Sequence, residues 1–353
     1  MNLARPVASG LASKCRPLRK VQIRQYLAAV CKEFGQSLVI EEQQQDIVAD
    51  AQQVVVRVDS SGVNSADLLM IQGKHHLKPV LPFVPGFELA GEVVEVGSQV
   101  SRVKPGDRVL GIKRVGSGSF AHYCPLFQNA VFGIPHSLSY ETAASLPVAY
   151  GSAYLALKSL SHIKEGSYVL VLTSRGSTGL AAIDLAQNVF RCHVIAACES
   201  EAKCAVARPM GVLSTVEYTD ENLSRNVLKA TEGNGADLII DTVGGQWFDQ
   251  ALKCLKPGGH VCSLSFSSGS IPAVSLQQLI RYRATVSGVW LGGLAQQNSE
   301  EFQKIIEKII QLNDEEFISP YIATVHPLEE INDALEAMQN ARTDLGKVVL
   351  TLR

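Results

Sequence analysis

The sequence predicts an α/β protein in which a doubly wound parallel sheet follows an antiparallel, β-rich region. Two observations support this prediction. An apolar strand, Tyr168–Leu172, leads into a glycine turn and a helix, and a second apolar strand, His193–Ala197, begins about 20 residues after the turn. Strand candidates then recur between helical stretches, and this alternation is typical of a parallel sheet with helices on both faces.

The glycine turn, Thr173–Gly179, reads Thr-Ser-Arg-Gly-Ser-Thr-Gly. Gly176 would let the backbone approach a pyrophosphate at the helix N-terminus, and Gly179 would let the helix pack closely on the strand. Ser174 replaces the first glycine of G-x-G-x-x-G, so an ordinary strand-to-helix turn is the alternative. The position between two strands favours a dinucleotide site. Its candidate contacts are Ser174, Gly176, Ser177, Thr178 and Gly179.

Composition narrows the class of protein. The chain has 353 residues, 46% of them hydrophobic and 19% charged, and a net charge of -2, so no overall field favours nucleic acid or an anionic membrane. No uninterrupted apolar run reaches the ~18 residues that span a bilayer, so we expect no membrane span. The eight cysteines include no C-x-x-C pair, and we expect reduced core thiols.

The N-terminal segment 1–25 carries six basic side chains, and no acidic residue precedes Glu33. Mitochondrial presequences are rich in Arg, contain Ser and are poor in acids, so we predict a mitochondrial presequence here. Pro6 and Pro17 would interrupt a long helix. A disordered basic tail on a cytoplasmic protein is the alternative.

The region after residue 25 alternates short β-branched segments with Gly- and Pro-containing turns, as an antiparallel sheet does. Its predicted strands are Tyr26–Val30, Gln53–Val58, Ala90–Val96 and Arg108–Leu110. The stretch Ala143–Leu157 predicts a helix that carries the chain into the second region, with interruptions at Pro147 and Gly151.

The second region supplies further strands to the parallel sheet, predicted at Ser214–Glu217, Asp237–Asp241, His260–Leu264 and Thr285–Val289. Ligands of such sheets lie at the carboxyl ends of the strands. The loops Asp241–Gly245 and Ser265–Gly269 follow two strands and should line the nicotinamide half of a cleft, or are ordinary Gly/Ser turns. Val243 and Phe266 are their candidate contacts. Helices at 300–312 and 328–340 and the strand Gly346–Leu352 complete the chain.

Three motifs accompany the glycine turn: Gly-Val-Asn-Ser-Ala-Asp at 62–67, Pro-Gly-Phe-Glu-Leu-Ala-Gly-Glu-Val at 85–93, and Lys-Pro-Gly-Asp-Arg-Val at 104–109. In this order and spacing the chain resembles the medium-chain dehydrogenase/reductase superfamily, in its zinc-independent, zeta-crystallin-like quinone oxidoreductase branch. The Gly-Ser-Thr-Gly turn is most similar to that of quinone oxidoreductase-like proteins. The resemblance runs from about residue 26 to the C-terminus.

The resemblance implies a Rossmann doubly wound parallel sheet domain, 149–288, inserted into a GroES-like antiparallel β-rich domain made of 26–148 and 289–353. It also bears on metal binding. Zinc-dependent members have Cys where this chain has Asn64 and His where it has Phe87. An amide is a poor zinc ligand and a phenyl ring has no donor atom, so we expect no zinc.

The cofactor is predicted from the end of the second nucleotide-binding strand. NAD-binding units usually place an Asp or Glu there for the ribose 2'-hydroxyl, whereas the resemblance places Cys198 there, followed by Ser200. NADPH is therefore expected in preference to NADH. The family's residues at the 2'-phosphate are matched by Lys203, Tyr218 and Arg342. Glu199, if turned inward, would repel that phosphate and restore some use of NADH.

Asn64 is the candidate nearest the reacting carbon, because the family places this Asn beside the nicotinamide and the substrate. Ser152 aligns with a family Thr and is either a cofactor contact or a small helix-packing residue. Two tyrosines near the active site of some relatives are Leu69 and His75 here. His75 either replaces a tyrosine function or faces solvent.

These inferences predict a mitochondrial, NADPH-dependent reductase of quinones or other α,β-unsaturated carbonyls. A homodimer that joins its nucleotide-domain sheets edge to edge is also expected. One alternative is an enoyl thioester reductase, which would need a long acyl pocket and a tyrosine acid. Another is an NADPH-binding protein without turnover, which fits the loss of the first motif glycine and of both tyrosines.

Overall fold

The computed structural model describes residues 25–44, 48–113, 118–160, 163–174, 176–219, 222–339 and 345–353. The predicted presequence, up to residue 24, and Arg342 lie outside the described residues. The strands are β1 Tyr26–Val30, β2 Val39–Gln43, β3 Gln53–Val63, β4 Glu88–Val96, β5 Arg108–Ile112, β6 Tyr123–Phe127, β7 Val131–Gly133, β8 Tyr168–Thr173, β9 His193–Cys198, β10 Ser214–Glu217, β11 Ala236–Asp241, β12 Leu255–Ser263, β13 Thr285–Gly288, β14 Ile322–Pro327 and β15 Lys347–Thr351.

Strands β1 and β2 form a small antiparallel sheet, and the α-helices pack around two larger sheets. The helices are α1 Ser65–Ile71, α2 Tyr140–Ser145, α3 Pro147–Lys158, α4 Ser177–Asp184, α5 Glu201–Ala207, α6 Leu223–Ala230, α7 Gln246–Leu252, α8 Leu276–Tyr282, α9 Leu291–Gln297, α10 Ser299–Asp314 and α11 Ile331–Gln339. A π-helical turn at Leu185–Val189 extends α4. No helix of the described residues is both long and apolar enough to cross a membrane.

The first of these larger sheets has seven strands. Six lie side by side in the order β14, β15, β3, β4, β5, β7, and β6 also pairs with β3. All of its pairs are antiparallel except β14 with β15, so strands from both ends of the chain share one sheet. One side of β3 and β4 packs on a core that includes Val56, Leu89 and Leu350. Asn64 directly follows β3, and β3 pairs with β15, so the sheet places Asn64 beside β15.

The second sheet has six parallel strands in the order β10, β9, β8, β11, β12, β13. Helices cover both faces, so its central strands are buried along nearly their whole length, as in β8 and β9. All carboxyl ends meet at one edge, and the glycine turn lies there after β8. The predicted α/β fold class, with a Rossmann sheet beside a GroES-like antiparallel sheet, is confirmed.

The predicted helix Ala143–Leu157 is two helices, because the chain breaks between α2 and α3 at Pro147. Gly151 does not interrupt α3: a Cβ there would lie 2.7 Å from Leu291 Cδ2, so its smallness lets α9 approach. Helices α9 and α10 share a core with α3 and α4. The chain therefore rejoins the antiparallel sheet at β14, well after residue 289.

Candidate active site

The glycine turn fits a phosphate-binding role. Gly176 precedes α4 with φ 66°, a conformation that favours glycine, and apart from its chain neighbours no atom of the described residues lies within 4 Å of where its Cβ would be. The turn therefore faces open space at a helix N-terminus, whose first N–H groups have no intrahelical acceptor. Ser177, Thr178 and Gly179 form the first turn of α4, and a Cβ on Gly179 would clash with Thr173.

Three loops meet at the carboxyl edge of the parallel sheet. The Ser174 and Ser267 hydroxyls lie 2.7 Å apart and connect the glycine turn to the loop after β12. Ser268 N–H donates to the Val243 carbonyl oxygen at 3.0 Å, which ties that loop to the one after β11. Val243 is buried, whereas the ring of Phe266 is 40% exposed. The structure thus brings Ser174, Val243 and Phe266 into one loop cluster.

This cluster also contains unused hydrogen-bonding capacity. Asp241 Oδ1 accepts the N–H groups of Val243 and Gly244, each at 2.9 Å, but the buried Oδ2 has no hydrogen-bond partner among the described residues. Burial raises the pKa of Asp241. Together with the open space before Gly176, this edge fits a nicotinamide dinucleotide.

The end of β9 carries the residues expected at the adenosine 2'-phosphate. Lys203 is nearly buried, and its Nζ lies 2.7 Å from Glu199 Oε2. Glu199 therefore acts on the predicted phosphate site by forming an ion pair with Lys203. Ser200 caps α5 by accepting the Lys203 N–H at 3.4 Å. Burial and the Glu199 charge raise the pKa of Tyr218, whose ring packs 4.5 Å from Trp247.

Ser152 lies half-buried on α3. The first turn of the same helix binds the Glu88 carboxylate, which contacts the candidate catalytic residue Asn64. Val148 N–H donates to Glu88 Oε2 at 2.7 Å. Because a carboxylate is stabilised at a helix N-terminus, α3 positions Glu88 although that carboxylate is fully buried.

Asn64 is fixed by two buried, oppositely charged side chains. Its Nδ2 donates to Glu88 Oε1 at 2.8 Å, and its Oδ1 accepts from Lys347 Nζ at 2.8 Å. Lys347 also pairs with Glu88, and their side chains are 1% and 0% exposed. The amide therefore cannot flip without placing its oxygen against a carboxylate and its nitrogen against an ammonium group.

Gly62 makes this close arrangement possible. A Cβ at Gly62 would lie 2.5 Å from Glu88 Oε1 and 2.7 Å from Lys347 Cε. Any larger residue would push apart the two groups that hold Asn64. The result is a rigid amide. Its remaining Oδ1 lone pair can bind a ligand, and so can its second Nδ2–H, whose hydrogen bond to the Gly62 carbonyl oxygen is long, at 3.3 Å.

A buried carboxyl group supports the backbone of the same segment. Asp67 Oδ2 accepts the Asn64 N–H at 2.8 Å, and Oδ1 accepts the Gly86 N–H at 3.1 Å. The side chain thus joins the first two motifs across 19 residues. Burial is the largest influence and raises the pKa of Asp67 to about 7, so its charge changes near neutral pH.

His75 is oriented by contacts with the Leu77 backbone, and burial disfavours its charged form. Its Nδ1 lies 3.1 Å from the Leu77 backbone nitrogen and 3.3 Å from the Leu77 carbonyl oxygen; in the neutral tautomer in which Nδ1 accepts the Leu77 N–H, the proton lies on Nε2. Burial, and then the neighbouring His76, lower the pKa of His75. Its ring lies 5.9 Å from that of Phe87, which precedes Glu88. Asn64 and His75 thus flank the same dipeptide, and His75 can offer an N–H donor.

Sequence reasoning did not single out Glu88, Lys347 or Asp67. Glu88 and Asp67 lie within the motifs at 85–93 and 62–67, so those motifs contained a usable signal. For Lys347 the only usable signal was its charge within an apolar strand. Among the described residues, no group of three or more His, Cys, Asp and Glu side chains could hold a metal ion, and the described cysteines are buried.

Comparison with known families matches both halves of this architecture. Residues 50–136 match the family described as alcohol dehydrogenase GroES-like domain, and residues 177–311 match the one described as zinc-binding dehydrogenase. The quinone oxidoreductase-like protein 2 homolog of Nematostella vectensis is 38% identical over 331 residues, which cover 94% of this chain and 90% of that protein.

The chain belongs to the quinone oxidoreductase-like proteins of the medium-chain dehydrogenase/reductase superfamily. Quinone oxidoreductase-like protein 2 of Rattus norvegicus is 39% identical over 340 residues, 96% of each chain. A mycobacterial protein, Rv1454c, whose structure was solved in complex with NADPH, superposes with a TM-score of 0.85 at 25% identity, over 92% of this chain and 99% of that one. These relatives support an oxidoreductase that binds a nicotinamide cofactor.

Proposed function

We propose that this protein reduces quinones or other α,β-unsaturated carbonyls with NADPH. The observation that carries the proposal is the Asn64 amide, which Lys347 and Glu88 immobilise from both sides. Such a site offers fixed hydrogen-bonding groups. It therefore suits a reaction in which a cofactor supplies the reactive group and the protein supplies position.

The glycine turn and the loops after β11 and β12 would hold the cofactor, with Lys203, Ser200 and Tyr218 at its adenosine end. NADPH, when bound, supplies a hydride. On the protein side, Lys203 offers a positive charge to the 2'-phosphate, and Gly176 leaves the space that a pyrophosphate needs. Glu199 opposes the assignment by pairing with Lys203.

His75 and Asn64 would act on the acceptor. When the conjugated system accepts a hydride, with two electrons, its carbonyl oxygen becomes an oxyanion. The His75 Nε2–H can donate a hydrogen bond to that oxygen, and water supplies the proton that completes a hydroquinone or saturated ketone. Asn64 would orient the acceptor ring, because its amide is fixed on both sides, and an amide does so without exchanging a proton.

The charge beside Asn64 favours a conjugated acceptor over a simple alcohol substrate. Lys347 Nζ already contacts Asn64 Oδ1, so a dication at that oxygen would face an ammonium group at close range. A quinone or enone delocalises the incoming charge, and an isolated ketone does not. The proposal therefore needs no Lewis acid on this chain's residues.

The test is NADPH oxidation by the purified full-length protein with naphthoquinone, benzoquinone and cyclohexenone, with and without a chelator. We expect chelator-independent turnover, and Asn64→Ala should lower kcat by about 10²-fold, as the loss of a positioned group does. NADPH affinity should change little. Chelator-sensitive alcohol oxidation would contradict the proposed chemistry.

Two alternative functions predict different outcomes of the same experiment. An enoyl thioester reductase would turn over a long-chain enoyl thioester far better than a quinone. A binding protein would show saturable NADPH binding without NADPH consumption by any acceptor. Neither alternative has a specific supporting contact: among the described hydrogen bonds, none joins Asn64 to a tyrosine hydroxyl.

A further inference from the structure

Trp290 occupies a position at the carboxyl edge that the proposed reaction has not yet used. It lies two residues after β13, immediately before α9, and its side chain remains 47% exposed. Ligands of parallel sheets bind beyond the carboxyl ends of the strands, so this indole stands at the expected ligand edge. Ligand pockets are lined mainly by hydrophobic and aromatic side chains, so a half-exposed indole at this edge is a candidate ligand contact.

The indole has a formed seat. A Cβ on Gly293 would clash with Trp290 Cε3, and one on Gly292 would lie 2.9 Å from Nε1. Two consecutive glycines in the first turn of α9 therefore allow the ring to lie flat against the helix backbone. One face of the indole is supported by this turn, so its orientation does not depend on a ligand.

The indole also contacts the other domain. The His76 ring meets it edge-on, with centroids 4.8 Å apart and planes at 87°. His76 in turn lies 4.2 Å from His75, with planes at 32°, and His75 lies against Phe87. A continuous aromatic wall, defined as Trp290, His76, His75 and Phe87, thus runs from the nucleotide-domain edge to the dipeptide that holds Asn64.

We propose that Trp290 is a substrate-binding residue that selects fused-ring aromatic acceptors, such as naphthoquinones, by stacking on their flat face. This inference rests on the proposed function and names the substrate class of that site. An electron-rich indole and an electron-poor quinone ring favour an offset-stacked contact, and a second fused ring adds contact area that a single ring lacks. His76, at the indole edge, limits how far the ring can shift along the wall.

The first test compares substrates in the full-length protein. Trp290→Ala should lower the ratio of kcat/KM for naphthoquinone to that for benzoquinone by about tenfold, mainly through KM for naphthoquinone, because stacking stabilises the bound ground state and transition state alike. Trp290→Phe should restore part of the ratio. Phe317→Ala is the matched control, since Phe317 is similarly exposed, at 44%, in the segment after α10. An unchanged ratio in Trp290→Ala would overturn the inference.

The second test does not need turnover. The chain has two tryptophans, so Trp247→Phe leaves Trp290 as the single indole reporter and Trp290→Phe leaves Trp247. Naphthoquinone should quench the Trp290 reporter saturably, whereas the Trp247 reporter should show only the linear, collisional quenching seen with free N-acetyltryptophanamide. Linear quenching of both reporters would refute the Trp290 assignment. A wild-type protein that consumes no NADPH but shows saturable Trp290 quenching would refute the proposed function and keep this binding site.

Discussion

Replacing Glu199 with glutamine should make the protein more selective for NADPH. Glu199 Oε2 lies 2.7 Å from Lys203 Nζ, so the carboxylate competes with a 2'-phosphate for the same ammonium group. The Lys203 side chain is 10% exposed and that of Glu199 is 43% exposed, so the pair is only half shielded from water. Glutamine keeps the size of the side chain and removes its charge.

The size of the effect follows from what each partner of Lys203 contributes. Ion pairs that are largely open to solvent contribute about 0.2 to 1 kcal/mol, so releasing Lys203 from Glu199 should tighten NADPH by up to about fivefold. A charge-assisted contact to the phosphate contributes about 1.5 to 3 kcal/mol, so Lys203→Met should weaken NADPH by roughly 10- to 150-fold. NADH has no 2'-phosphate and should respond little to either change.

Calorimetric titration of both cofactors into wild type, Glu199→Gln, Lys203→Met and the double variant completes a mutant cycle. Because the gain in Glu199→Gln requires a free Lys203, we expect it to shrink in the Lys203→Met background. The wild-type and Glu199→Gln proteins should differ less at high salt, which screens exposed charges. An NADPH-to-NADH affinity ratio that is the same in both proteins would refute the competition.

Three further predictions concern stability, assembly and location. The raised pKa of Asp67, about 7, means that the folded protein keeps a proton that the unfolded chain releases above about pH 4, so the free energy of unfolding should fall as pH rises from about 4 to 7. Urea titrations should show that Asp67→Asn flattens this dependence, and an unaltered slope would contradict it. We propose a homodimer through β13, an edge strand of the described sheet, beside α8, whose Leu276 and Ile280 are 76% and 77% exposed. Ile280→Asp should then yield monomers in sedimentation, whereas a wild-type monomer would exclude this interface. Finally, segment 1–25 fused to a fluorescent reporter should direct it to mitochondria, and a diffuse cytosolic signal would leave the basic-tail alternative.

The parallel sheet was predictable because burial on both faces makes its strands continuous apolar runs in the sequence. The missed strands are β2, β6, β7 and β14. The first of these, Val-Ile-Glu-Glu-Gln, is mostly polar, and β14 contains His326 and Pro327, so neither has an apolar pattern. Their positions are set by pairing with β1 and β15, which local sequence does not encode.

The candidate site was likewise predictable only in part. Gly176 and Gly179 could be assigned from spacing, because each answers a local need of one turn. The partners of Asn64 could not, since Glu88 lies 24 residues away and Lys347 lies 283 residues away. The lowered pKa of His75 depends on burial and on His76, which only the folded arrangement defines.

The contact between Lys347 and Asn64 has a consequence for the order of events during synthesis. The ribosome releases residues 25–339, with both sheets nearly complete, before β15 can leave the exit tunnel and insert beside β3. Until then Glu88 has no ammonium partner and nothing fixes the amide of Asn64 from its oxygen side. The nucleotide-binding sheet is built from β8 to β13, so its formation does not require β15. A nascent chain would therefore acquire cofactor affinity before it acquires catalytic geometry.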